Sequence, residues 1–270
     1  MIDWRNNYKQ IFTTKDMKKR GQTAAFIIIA IIIVVFGILI YLFYPRISTI
    51  FGLEAEPNTY MSSCIEPAVR ENVELLSKHG GYANPQGYVL HNGNRVKYLC
   101  YTAQYYIPCY VQQPMIRAHF EQELASMIQD KADQCAGDLK KYYEDRGYEV
   151  TGGNNALASV SIIPENINVV VSVPMTITKD TTQRFENFRF GLPSKMYSLL
   201  MTALSIIDFE STYGDAETTW YMQFYPNLQI QKTKLMDGST VYTVSDVNSK
   251  ESFTFASRSL AWPPGYGFTA

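Results

Sequence analysis

The longest apolar run of the chain, Gly21 to Tyr44, passes 24 residues without a charged side chain, through AAFIIIAIIIVVFGILIYLFY. A helix of that length spans roughly 36 Å at about 1.5 Å per residue, a little more than the ~30 Å hydrocarbon core of a bilayer. The run predicts a transmembrane helix over residues 22–44, because a bilayer leaves the backbone of these Ile and Val residues no alternative to internal hydrogen bonding. It is too long for the core of a secretory signal, and it ends in YLFYPRIS instead of a small-x-small cleavage site. The helix is therefore expected to stay in the mature protein, followed by a linker over 45–57.

Beyond the linker the apolar positions change period. Met61, Cys64, Ala68, Val73, Leu75 and Leu76 recur every three to four residues and stop at Gly80-Gly81, which predicts a helix containing Pro67. YVLH and RVKYLCYT flank Asn92-Gly93, the dipeptide that tight hairpin turns favour, with a partner strand expected near 104–111. A long amphipathic helix is expected from Pro114 to Arg146, its stripe formed by Ile116, Phe120, Leu124, Met127, Ile128, Cys135, Leu139 and Tyr142. Residues 147–192 hold four strand-like stretches, and Ile167, Val169, Val171 and Val173 alternate onto one face. A helix over 194–213 and a meander of NLQIQKTKL, STVYTVSDV and SFTFASRSL follow. The expected fold class is α+β: a single N-terminal transmembrane helix, then an extracytoplasmic domain with an antiparallel sheet and about three helices. Two parts are expected in that domain, a helical disulfide-bearing one over 58–151 and a β-rich one over 152–270.

Charge adds a direction. Residues 1–20 carry six Lys and Arg against Asp3 and Asp16, which holds the N-terminus on the cytoplasmic side and sends the C-terminal domain outside. The net charge of −1 and the dispersal of basic residues beyond position 50 exclude a nucleic-acid-binding face. Twenty Tyr and 14 Phe suit either interfaces or a β-rich core. The four cysteines, outside the cell, read as two disulfides. Cys100 and Cys109 bracket a short loop, while Cys64 and Cys135 both lie on helical apolar stripes, so the expected pairs are Cys100–Cys109 and Cys64–Cys135.

Two resemblances bear on the N-terminus. KKRGQTAAF sets a basic cluster and a glycine ahead of the apolar run and resembles the class III signal of archaeal type IV pilins. The resemblance implies cleavage after Gly21, with Gln22 as the first mature residue. Phe26 stands at the fifth mature position, where many pilins carry Glu. The alternative is an uncleaved anchor, with residues 1–21 as a permanent basic tail. SCIEPAVRENVELL, LCYTAQYYIPC and SRSLAWPPG, taken with KRGQ, resemble an uncharacterised group of membrane-anchored surface proteins from archaea with small genomes. That resemblance implies location and architecture and brings no activity.

Candidate chemistry is sparse. His119 sits in HFEQE, which lacks the spacing of a zinc protease, and His79 and His91 stand apart from it. No G-x-S-x-G is present, and TGGNN lacks the lysine of a phosphate-binding loop. A hydrolytic pair from Glu186 with Asp208, Glu210 or Asp215 depends on a separation that only folding sets. Arg184 and Arg258 are candidates for ion pairs. Trp262 and Tyr266, in LAWPPGYGFTA, form a stiff aromatic segment suited to docking on a neighbour or ligand, or to packing on its own sheet. No cofactor, metal or catalysis is expected. The expected function is a cell-surface structural or interaction protein, with pilin-like assembly through the N-terminal helix, and with the lipid bilayer and a second copy or a membrane complex as partners. The alternatives are a membrane-tethered receptor or accessory subunit, and an extracytoplasmic hydrolase.

Overall fold

The computed structural model describes residues 29–38 and 55–260. The chain divides between Ala55 and Glu56 into two units. In the first, the described residues 29–38 are helical and belong to helix α1. Among the described residues no helix is long and apolar enough to cross a membrane. This overturns the transmembrane helix expected over 22–44, and with it the single-pass topology, the bilayer as partner and the cell-membrane location. The membrane-anchored archaeal surface family and the pilin-like subunit lose the feature that defined them. An uncharged apolar run is a necessary condition for a span, and the same pattern also suits a helix buried against protein. Gly21 and Gln22 lie outside the described residues, as do Trp262 and Tyr266.

Among the described residues the second unit is α+β with four helices: α2 (Pro57–Lys78), α3 (Ile116–Glu144), α4 (Met196–Tyr213) and α5 (Thr219–Phe224). The expected purely antiparallel sheet is replaced by two sheets, one of them mixed. The larger takes β1 (Tyr88–His91), β2 (Asn94–Tyr101), β10 (Ser252–Arg258), β9 (Thr240–Asp246) and β8 (Leu228–Lys234) in that order, with β3 (Tyr110–Val111) also on β2. Its β2 and β10 run parallel, Ala256 opposite Tyr98 and Arg258 opposite Tyr101. Nothing local in the sequence signals a pairing across more than 150 residues. The smaller, antiparallel sheet is built on β6 (Asn166–Thr178), flanked by β4 (Glu149–Gly152) and β5 (Leu157–Ile163) on one edge and β7 (Thr182–Pro193) on the other.

One core joins the layers. From β6 it takes Ile167, Val169, Val171 and Val173, from α3 Phe120, Leu124 and Ile128, and from α4 Leu200, Ala203 and Ile207. The α3 helix also closes the free edge of β5. Glu121 Oε1 accepts from the Ile162 amide at 2.8 Å, Gln129 Oε1 from Ala158 at 3.1 Å and Asp133 Oδ1 from Ala156 at 2.7 Å. Four helical residues rise about 6 Å and two strand residues about 6.7 Å, so acceptors spaced by four on the helix meet amides spaced by two on the strand. Across the sheet, the Asn58 side chain at the start of α2 caps the edge of β7, accepting from the Arg189 amide and donating to its carbonyl. Both caps occupy backbone groups that would otherwise recruit another strand.

Gly152, at the end of β4, has φ +83°, and a Cβ there would lie 2.3 Å from the Pro174 carbonyl oxygen. Gly152→Ala is expected to cost about 2–4 kcal/mol, combining a left-handed backbone with a backbone clash. Gly137→Ala, mid-helix on α3 with open space around its Cβ, is expected to gain about 0.5–1 kcal/mol. Urea unfolding of the two variants checks both signs.

Candidate functional site

The parallel pair β2 and β10 ends at Tyr101 and Arg258, at the same end of the sheet where β8 stops and β9 begins. A cleft of about 950 Å³ opens there. Clefts outside the carboxyl ends of parallel strands arise because the chain must splay apart to begin its next connection. One wall is the 102–109 loop, closed by the Cys100–Cys109 disulfide and carrying Tyr105 and Tyr106. A second wall is the last turn of α4, with Phe209 and Tyr213, followed by Gly214, Asp215 and Glu217. The β8–β9 turn adds Lys234, Ser239 and Thr240.

Each wall is held by specific bonds. Tyr106 has φ +68°, a left-handed conformation that costs a non-glycine residue about 1–2 kcal/mol. The disulfide closes the loop around it, and the Leu260 amide donates to the Ile107 carbonyl at 3.3 Å. Arg258 donates to the Thr102 and Asp237 carbonyls, and its guanidinium lies about 6 Å from the Tyr101 and Tyr105 ring centres. It joins the loop to the β8–β9 turn, a structural role for a residue that is also a candidate for an ion pair.

Glu210 forms the floor. It is 2% exposed, and both of its carboxyl oxygens are occupied. The Tyr242 hydroxyl and the Ala216 amide donate to Oε1, the latter at 3.0 Å, and the Ser257 hydroxyl donates to Oε2 at 3.0 Å. The Ser259 hydroxyl donates to the Glu210 carbonyl, and the Ser259 oxygen accepts from the Cys109 amide. Gly214, at φ +97°, turns the chain sharply enough for Ala216 to return to the helix it has just left. Burial pushes the Glu210 carboxyl above its ordinary pKa, against the pull of these donors. Burial, together with the Glu210 charge, raises the Tyr242 phenol. Asp215 shifts the other way: burial alone would raise it, but Lys232 and Lys234 hold it below the usual carboxylate value through contacts of 2.6 and 2.9 Å.

The structure thus gathers Glu210 and Asp215 into one cleft and leaves Glu186 on β7, where it pairs with Arg184 at 3.4 Å. Cys64 pairs with Cys135 to tie α2 to α3, and no cysteine is free. His119 packs its ring 4.0 Å from that of Tyr82, and burial lowers its pKa. Its neighbours Glu121 and Glu123 are engaged by the Ile162 and Ala83 amides. Among the described residues no group of three or more His, Cys, Asp or Glu side chains is placed to hold a metal ion.

Sequence inspection did not select the four cleft aromatics. Tyr105 and Tyr213 are 69% and 66% exposed, and the Phe209 and Tyr213 rings pack in a tilted arrangement with centres 4.8 Å apart. Their signal lay in the chain all the same: an aromatic pair four apart, off the apolar stripe at the end of a helix, and two tyrosines inside a short Cys-to-Cys loop. Two smaller hollows lie elsewhere: one of about 320 Å³ between α2 and β7 has no aromatic lining, and one of about 530 Å³ beside α4 and α5 is lined by Tyr197, Tyr221 and Tyr225. Compared with family models, with curated proteins and with solved structures, the chain matches none.

Proposed function

We propose that the unit beginning at Glu56 is a ligand-binding domain and not an enzyme, with the cleft at the carboxyl ends of β2 and β10 as its site. The observation that carries this is the gathering of four exposed aromatic rings, Tyr105, Tyr106, Phe209 and Tyr213, into the lining of one cleft together with hydroxyls and carboxylates. Large exposed rings such as Tyr105 and Tyr213, on two independent elements, cost hydrophobic free energy that a bound ligand recovers. A strained Tyr106 held by a disulfide fits a preorganised site. Glu210 favours binding over catalysis, since its oxygens already accept from three internal donors and its role is to hold the walls together.

The test is an NMR titration of the ¹⁵N-labelled chain with phenol and with N-methylacetamide as probes. Shifts are expected at Tyr106, Gly214, Ala216 and Ser239. Shifts centred instead on Tyr197 and Tyr221, beside α5, would overturn the assignment of the site. Turnover of a chromogenic ester, phosphate or glycoside that disappears in Glu210→Gln would overturn the non-catalytic role.

A further inference from the structure

We infer that the ligand of this cleft is a neutral carbohydrate chain, an assignment that rests on the cleft being a binding site. The lining contains three acids, Glu210, Asp215 and Glu217, and one base, Lys234, with Lys232 also bound to Asp215. An anionic ligand entering it would lose hydration and find both lysines already paired with Asp215. Cationic ligands fare little better. Asp215 is already paired with Lys232 and Lys234, and Glu217 accepts from the Thr219 hydroxyl and amide, so a cation would compete with bonds that both carboxylates already make. What these paired carboxylates retain is lone-pair capacity for hydroxyl donors, since each oxygen accepts more than one hydrogen bond.

A purely apolar ligand would leave that polar rim buried and unsatisfied. A pyranose chain meets both halves of the site. Its C–H faces lie against aromatic rings, whose faces carry the negative side of the quadrupole, and its equatorial hydroxyls reach the carboxylates and the Ser239 and Thr240 hydroxyls at the edge. The volume, about 950 Å³, stands at the upper end of the range for small-molecule sites and accommodates several sugar units.

The experiment is isothermal titration of the full chain with maltohexaose, cellohexaose, chitohexaose and mannohexaose, with hexagalacturonate and a lysine-rich peptide as charged comparisons. At least one neutral hexasaccharide is expected to bind with Kd below about 1 mM, with little change on added salt, because no net charge is neutralised. Tyr105→Ala and Tyr213→Ala should each weaken it about tenfold, while Tyr213→Phe, which keeps the ring face, should bind within about twofold of the parent. Unchanged amide dispersion in the variants separates lost contact from lost fold.

Tighter binding of hexagalacturonate or the peptide would overturn the inference. So would silence from every neutral sugar, and if phenol still shifts the cleft amides the binding-domain proposal survives that failure. A chain ended after Leu260 is titrated alongside. If its cleft amides move on truncation and neither form responds to sugar, residues 261–270 are the occupant and the carbohydrate assignment falls.

Discussion

Glu210→Ala is expected to destabilise the protein by about 3–5 kcal/mol, because it strands three buried donors at once. The Tyr242 and Ser257 hydroxyls and the Ala216 amide all end on this one carboxylate, and they come from β9, β10 and the turn after α4. Glu210→Gln should cost only about 1 kcal/mol or less, since the amide oxygen can accept from Tyr242 and Ala216 while its NH₂ donates to the Ser257 oxygen. The two variants also differ from the parent in pH dependence. The folded-state pKa of Glu210 lies above its ordinary value near 4.5, so the folded chain holds this proton more tightly than the unfolded chain. Its contribution to stability is complete below the unfolded-state pKa and is lost as pH rises through the folded-state value. Urea midpoints of parent and Glu210→Gln should therefore draw apart in favour of Gln across that window and run parallel above it. A constant difference at every pH would show that Glu210 carries no raised pKa.

Loss of the Cys64–Cys135 bridge is the second large effect. Its partners are 71 residues apart, against 9 for Cys100–Cys109. In the chain-entropy account the longer loop is worth about 4 kcal/mol and the shorter about 3 kcal/mol. Replacing both members of the longer pair by Ala should thus lower the urea midpoint more than the same change in the shorter pair. Binding is expected to follow the opposite order. The shorter bridge fastens the Tyr105–Tyr106 loop, whereas the longer one ties α2 to α3 away from the cleft, so removing Cys100–Cys109 should weaken phenol-induced shifts more. If both measurements fall in the same order, the loop does not depend on its disulfide.

Elements whose signal is local were legible in the chain. The periodic stripes of α3 and α4 place those helices at Ile116–Glu144 and Met196–Tyr213, inside the ranges expected. Asn92-Gly93 sits in the β1–β2 turn, with both residues at positive φ. The alternation from Ile167 to Val173 is the buried face of β6. Short-range signals failed in two ways. The strand expected near 104–111 shrank to Tyr110–Val111 because Tyr106 leaves the extended region and breaks the ladder. The apolar run at 22–44 was extrapolated to a membrane span that the described residues do not contain.

What the sequence determined by itself was the periodicity of hydrophobic burial, and with it which segments become helices or strands and which faces they hide. That information is local, since each residue's side chain points in a direction fixed by its neighbours a few positions away. The tertiary structure alone decided which distant segments meet: β2 beside β10, the α3 acceptors along the β5 edge, and the carboxylate of Glu210 under donors from Ala216, Tyr242 and Ser257. The candidate site belongs wholly to this second class. Its four aromatics come from two elements about a hundred residues apart, and they form a cleft only because a parallel pairing brings the carboxyl ends of β2 and β10 to the same end of one sheet.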